Sequence, residues 1–367
     1  MSGPKVSVCM PVYNGAKFLP QAIESILNQT FADFELVIAD DCSTDNSMAI
    51  IADYAAKDTR IRHWKNEKNL GLFGNWNLTM ERANGQYIKP FAQDDYCKPN
   101  FFQSLVEALD KNPSVAIAGS AREFFNGEKV TAVEPDARKY YRDRIFGGTD
   151  VCLMFLVGGY NLVGFPPAMM FRKEHLDGGF DRRYYHCGDV EFFIRLLQKG
   201  DYYYLYRPLV TYRYHGQNQT YKNFAELKYM SDILLLQKDY SEFAESNGVN
   251  DFAGIIADQL ANVVEVGRNY LNIDYRDLKD TEVLHDPQRA ISIILSLADR
   301  VNELKKSAAN DAVSPEQLAQ LEQLAAEREK LMQDNRHLHH QIHSLVNSTS
   351  WKVTKPIRAL KRLAAGR

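Results

Sequence analysis

Two rhythms of apolar positions run through the first half of the chain. Short continuous apolar runs alternate with stretches where apolar residues return every three or four positions. "KVSVCMPVY" (residues 5–13) reads as a strand, closed by Asn14-Gly15. Phe18 to Gln29 carries Leu19, Ile23, Ile26 and Leu27 at helical spacing. "FELVIAD" (34–40) is a second strand, and Asn46 to Lys57 a helix with Asp45 as N-cap. "RIRHWK" (60–65) is a third strand, Gly74 to Ala83 a helix, "GQYIKPFAQ" (85–93) a fourth strand, Asn100 to Lys111 a helix and "SVAIAGS" (114–120) a fifth strand. This alternation predicts an α/β fold, with parallel strands joined by right-handed crossovers. Ligands bind such sheets beyond the carboxyl ends of the strands.

The later chain reads differently. Val151 to Phe171 carries no charge and is long enough to span a bilayer, but Gly158-Gly159, Asn161 and Pro166-Pro167 interrupt it. A buried helix followed by a loop is the expectation. "RPLVTYRYH" (207–215) is strand-like. Beyond about residue 220 strand signals vanish, and Phe224–Tyr240, Asp251–Tyr270 and Gln288–Lys305 read as helices. Four segments follow: a catalytic-type domain over 1–220, a helical domain over 221–312, a coiled coil over 313–346 and a basic amphipathic tail over 347–367. The coiled coil rests on a heptad with Leu321, Arg328, Asn335 and Ile342 at one position and Leu324, Leu331, Leu338 and Leu345 at the other. It predicts a homo-oligomer; the alternative is a helix packed back on its own domain. The tail sets Trp351, Val353, Ile357 and Leu360 among lysines and arginines, the composition of a helix that lies on an anionic membrane surface or of a disordered basic tail.

Composition changes this picture little. The 367 residues are 45% hydrophobic and 25% charged, with a net charge of −3 that gives no field for nucleic acid. Five cysteines, none in CxxC spacing, argue against a zinc site or disulfide framework. The N-terminus lacks the pattern of a signal peptide, so a cytoplasmic location is expected, possible as a peripheral protein on the inner face of the membrane.

Chemistry concentrates at strand ends. Asp40-Asp41 closes the second strand, and Asp94-Asp95 follows the fourth. Unpaired buried carboxylates are costly, so such pairs call for a divalent metal, ligand hydroxyls or backbone N–H groups. Asp41 suits ribose hydroxyls or a base N–H, or else turn formation. Asp94-Asp95 suits Mg2+ or Mn2+ with a pyrophosphate, or else a backbone-bonded loop. Asp189 begins a helix whose apolar face is Val190, Phe193, Ile194 and Leu197; it is an N-cap or a general base. His215 ends a strand-like run and can complete a metal shell, while Arg213 beside it can meet phosphate. No GxGxxG follows a strand and no GxxxxGK[ST] occurs, which removes support for a nicotinamide dehydrogenase or a P-loop NTPase.

Taken together, these stretches resemble glycosyltransferase family 2, of GT-A fold. "VSVCMPVYNGAKFLPQAIESILNQTFADFELVIADDCSTDNS", "NLGLFGNWN", "GQYIKPFAQDDYCKP", "GGFDRRYYHCGDVEFFIRL" and "LVTYRYHG" follow in the family's order over about residues 4–220. The resemblance implies a Rossmann-like, mostly parallel sheet flanked by helices. It implies nucleotide-sugar contacts from Pro11, Tyr13, Asn14, Asp41, Asn69, Gly71, Asn77 and Asp94. It further implies metal binding by Asp95, assisted by His215, with Mn2+ or Mg2+ as cofactor, and Asp189 as catalytic base. The implied activity is an inverting, hexosyltransferase-type reaction from a nucleotide-diphosphate sugar to a glycan or lipid-linked glycan acceptor. The acceptor is expected near Tyr160–Pro167 and Tyr202–Tyr214. The tail after the coiled coil is similar to those of bacterial enzymes that build surface polysaccharides such as O-antigen or capsule. Two departures stand out. Gly188 occupies the place of the acid that usually precedes the base, and the metal motif is "QDD" rather than a spaced DxD. The first leaves room for an alternative, a catalytically weak nucleotide-sugar-binding scaffold in a membrane-associated assembly.

Overall fold

The computed structural model describes residues 3–134, 142–215 and 228–249, with Phe252 and Ile255. Its sheet is built from the inside outward. β1 (Val6–Val12) and β2 (Phe34–Asp40) are buried at every position and pair in parallel, Val6 against Phe34 through Val12 against Asp40. Strands covered on both faces need no polar alternation, which is why both read as continuous apolar runs. β3 (Ile61–Lys65) flanks β2, and β4 (Tyr87–Pro90) flanks β1, again in parallel. The full order is β3-β2-β1-β4-β9-β6-β10-β5. The remaining path strands are β5 (Tyr96–Cys97), β6 (Val115–Phe125), β9 (Met169–Arg172) and β10 (Asp201–Arg213). β7 (Val130–Glu134) pairs with β6, and β8 (Arg144–Phe146) with β10.

β9 corrects the expectation for the 151–171 run. It is antiparallel to both β4 and β6, so the sheet is mixed at its centre, and β6 joins the parallel set through β9 rather than beside β4. The sequence hid it because Met169, Met170 and Phe171 are all fully buried and show no alternation. The rest of that run is α5 (Gly148–Gly158), ended by Gly159 in a left-handed conformation at φ 60°, then a 3-10 turn at Pro166–Ala168. No helix among the described residues is long and apolar enough to cross a membrane.

The other helices fall close to their predicted places: α1 (Leu19–Leu27), α2 (Ser47–Ala55), α3 (Leu72–Glu81), α4 (Phe101–Lys111) and α6 (Gly188–Leu197). α6 buries Phe192, Phe193, Ile194, Leu196 and Leu197, a wider face than predicted, and leaves Val190 half-buried. α7 (Lys228–Ser246) is the first of the helices expected beyond residue 220. The helices expected at 251–270 and 288–305, the coiled coil and the basic tail lie outside the described residues, Phe252 and Ile255 aside. The fourth strand ends at Pro90, short of the predicted residue 93. The Phe91 N–H still donates to the Cys9 carbonyl of β1 at 2.9 Å, while the Lys89 ammonium takes up the Pro90 and Pro167 carbonyls at 2.9 and 2.6 Å.

Candidate active site

The carboxyl ends of β1, β2 and β4 face one edge, and loops tied across it form the site. Asp41 follows β2 and is 2% exposed. Its Oδ1 accepts from Asn66 Nδ2 and the Leu70 N–H, each at 2.8 Å, and its Oδ2 from the Gly71 N–H at 3.0 Å. Asn69 Nδ2 donates to the Asp41 carbonyl, and Asn69 Oδ1 accepts the Gly71 N–H, both at 3.0 Å. Asp41 therefore anchors the 69–71 loop, where Gly71 holds φ 75°, a conformation open to glycine. Its neighbour Asp40 accepts the Ser43 N–H at 3.0 Å and shapes the turn.

The loop after β1 is fixed just as closely. Pro11 is buried within β1, and Tyr13 is 50% exposed. Asn14, at φ 48°, accepts the Thr44 N–H at 2.8 Å and donates its own N–H to Ser43 Oγ at 2.9 Å. Gln93 bridges this loop to the acidic turn through two hydrogen bonds with the Tyr13 backbone.

In that turn, Asp94 Oδ2 lies 2.9 Å from His215 Nε2, and the His215 ring stacks on Phe18 with centroids 4.8 Å apart. Asp95 is 1% exposed, and its Oδ1 accepts the Arg213 N–H at 2.9 Å. Burial, and after it the charge of Asp94, push the Asp95 carboxyl well above the usual range. Arg213 Nε donates to the Asp94 carbonyl at 2.9 Å, and its Nη2 donates to Gln21. The Arg213 side chain thus braces the acidic turn, a use other than the phosphate contact considered from sequence. Among the described residues no group of three or more His, Cys, Asp and Glu could by itself hold a metal ion.

Asp189 occupies the first turn of α6, and its Oδ1 accepts the Val190 N–H at 2.8 Å. Desolvation pushes its carboxyl up to about 7. The 69–74 segment connects it to Asp41. Gly71 sits on the Asp41 carboxylate, while the Phe73 ring stands where a Cβ at Gly188 would come within 2.5 Å of it. Phe73 stacks on Phe180, and Arg182 Nη2 donates to the Leu70 carbonyl at 3.1 Å.

Asn77 lies on α3 but turns to the same loop rather than to the strand ends. Its Nδ2 donates to the Phe180 carbonyl at 2.8 Å, and its Oδ1 accepts the Phe180 N–H at 2.7 Å. Of the aromatics expected around an acceptor, Tyr202 and Tyr204 are buried, whereas Tyr160, Tyr206 and Tyr214 are exposed.

Sequence reasoning passed over Gln93 and Arg122. Gln93 carries no signal beyond its place before Asp94. Arg122 on β6 is 5% exposed, yet its Nε and Nη1 have no hydrogen-bond partner. Its Nη2 reaches Glu134 and the Asn161 carbonyl at 3.3 Å each. The Arg122 charge acts on Asp189 and opposes its upward shift. A lone arginine in a β-strand gives no sign in sequence of which face it will occupy.

A family model described as Glycosyl transferase family 2 matches residues 7–177 of the chain. That span takes in Asp41, Asp94 and Asp95 and stops before Asp189 and His215. An uncharacterized protein of Mycobacterium tuberculosis is 35% identical over 205 residues, 54% of this chain and 63% of that one. An uncharacterized glycosyltransferase of Haemophilus influenzae is 27% identical over 223 residues, 59% of this chain and 67% of its own. The chain therefore spans about two thirds of the length of these curated relatives. Among solved structures, S. aureus TarS in complex with UDP-GlcNAc shares the fold with a TM-score of 0.57 at 18% identity, covering 75% of this chain and 77% of that one.

Proposed function

We propose that this chain, a family 2 glycosyltransferase of GT-A fold, moves a sugar from a nucleotide-diphosphate sugar to a hydroxyl of a glycan or lipid-linked glycan, with inversion. The setting we assign is the synthesis of a bacterial surface polysaccharide. The observation that carries this reading is the pairing of two carboxylates through one short segment. Asp41 holds the 69–71 loop at the strand ends, and residue 73 of the same segment packs on the start of α6, where Asp189 has a carboxyl lifted to about 7. A base with a pKa near working pH is matched to taking a proton from a hydroxyl. The complex of TarS with UDP-GlcNAc supports a nucleotide sugar as the donor class.

In this reading the nucleoside lies along Pro11, Tyr13, Asn14 and the Asp41-anchored loop of Asn69 and Gly71. Asp189 takes the acceptor proton as the acceptor oxygen bonds to the anomeric carbon. The bond from that carbon to the diphosphate breaks on the opposite face, so one base suffices and no enzyme nucleophile is required. By themselves the side chains of the acidic turn make no complete cation site; Asp95, assisted by His215, would supply part of the shell of a hard divalent cation, and the diphosphate and water would supply the rest. When bound, Mn2+ or Mg2+ supplies positive charge to the diphosphate oxygens. The orientation of the turn comes from Arg213 and Gln93.

The scaffold reading draws on Gly188, whose missing side chain is replaced by the Phe73 ring. A thermal-shift panel of UDP, GDP, dTDP and CMP sugars, each with Mn2+ and with EDTA, separates the two. A donor at about a hundred times its dissociation constant adds roughly 2.7 kcal/mol. The enzyme reading expects a metal-dependent shift with one nucleotide class, and release of the nucleoside diphosphate from that donor. A shift without any release by the wild-type chain favours the scaffold, and no shift at all removes the donor site.

A further inference from the structure

The approach to α6 is held from outside the catalytic segments. Asp232 on α7 is 1% exposed. Its Oδ2 accepts three successive backbone N–H groups, those of Tyr185, His186 and Cys187, at 2.9, 2.5 and 2.7 Å. Asp189 follows two residues after the last of them. The same face of α7 grips this segment twice more. Asp239 Oδ2 accepts from Tyr184 Oη at 2.9 Å and from Arg183 Nη2 at 2.8 Å, and Tyr240 Oη donates to Glu191 Oε1 at 2.9 Å. Glu191 in turn is bidentate with Arg195, one turn along α6. Residues 183–191 are thus pinned by three side chains of one helix, spaced at 232, 239 and 240.

We propose that Asp232 is a positioning residue for Asp189: its carboxylate gathers the three amides that lead into α6 and sets a fixed negative charge behind the base. The inference rests on Asp189 as the base. A carboxylate that accepts three backbone N–H groups is a strong, directional anchor. Left without it, three backbone donors lose their acceptor, that of Cys187 being buried, and the first turn of α6 loses its fixed entry. The charged groups that act on Asp189 are Asp232 from α7, which raises its pKa, and Arg122 from β6, which lowers it. Asp232 therefore keeps the base proton-avid as well as in place.

The test uses the full chain with 13C-labelled aspartate, the Asp189 signal being assigned by its loss in Asp189→Asn. In Asp232→Asn the Asp189 midpoint falls by about half a pH unit or more, because one negative charge is gone. Amide exchange at 185–189 rises about tenfold or more while the sheet stays protected. Asp239→Asn, which loses only contacts to Arg183 and Tyr184, leaves the Asp189 midpoint unchanged. If Asp232→Asn fails to fold, Asp232→Glu carries the test: the charge is kept and the three-amide contact is lost, so exchange rises while the midpoint holds. An unchanged Asp189 midpoint and unchanged exchange in a folded Asp232→Asn overturn the inference. Wild-type nucleotide release by Asp189→Asn would instead remove the base reading, and would leave the titration result standing.

Discussion

Gln93 and Tyr13 hold each other through both ends of one amide: the Tyr13 N–H donates to Oε1 at 2.9 Å, and Nε2 donates to the Tyr13 carbonyl at 3.0 Å. The pair locks the loop after β1 to the turn that carries Asp94 and Asp95. Gln93→Ala removes two hydrogen bonds worth about 1 kcal/mol each. Donor affinity measured by calorimetry is expected to fall several-fold with little change in the melting of the sheet. An unaltered affinity would show that the two loops need no mutual support.

The raised Asp189 carboxyl sets a pH dependence. The base works ionised, so turnover rises with pH through about 7 and levels off above it. The stability consequence has the opposite sign. The folded carboxyl binds its proton more tightly than the unfolded one, so the wild type loses stability as pH rises from the unfolded value near 4 to the folded value near 7. Asp189→Asn is therefore expected to be more stable than wild type at pH 8, and no more stable at pH 4, while turnover is lost at every pH. Denaturant titrations at the two pH values check this, and equal stability differences at both would remove the desolvation account.

Gly188 and Phe73 share one space. A Cβ at 188 would lie 2.5 Å from the ring, and the ring is stacked on Phe180 at 5.2 Å between centroids. Gly188→Ala is expected to cost about 1–3 kcal/mol by overpacking. Phe73→Ala should make the same change at 188 nearly neutral, so a double-mutant cycle by chemical denaturation yields a coupling of about 1 kcal/mol or more. Additive effects would mean that the helix, not the ring, takes up the methyl group.

Arg122 is a buried cation with two nitrogens that bond to nothing. Its ion-pair partner Glu134 is half-exposed, so removing the arginine leaves no buried charge unpaired and relieves the desolvation of the guanidinium. Arg122→Met is expected to raise the melting temperature and, by removing the charge that opposes it, to move the acid limb of the turnover profile to higher pH. A destabilised variant would show that the guanidinium is structural.

The apolar runs of β1 and β2 were legible because strands buried on both faces must be apolar throughout, and the helices α1 to α4 because a one-sided helix must repeat every three to four residues. The acids Asp41, Asp95 and Asp189 stood out as charges at element ends. What the residues around them do was not legible. Asn77 is an ordinary helix residue until Phe180, a hundred positions later, takes both ends of its amide. Asp232 lies in a helix without any catalytic signature, and its meaning comes from three amides that precede α6. β9 was hidden because a short strand buried between two neighbours has no period. A chain therefore declares by itself whatever depends on its own local period and charge. Which distant donor meets which acceptor is decided only by tertiary packing, because a hydrogen bond depends on distance in space and leaves no spacing in the sequence.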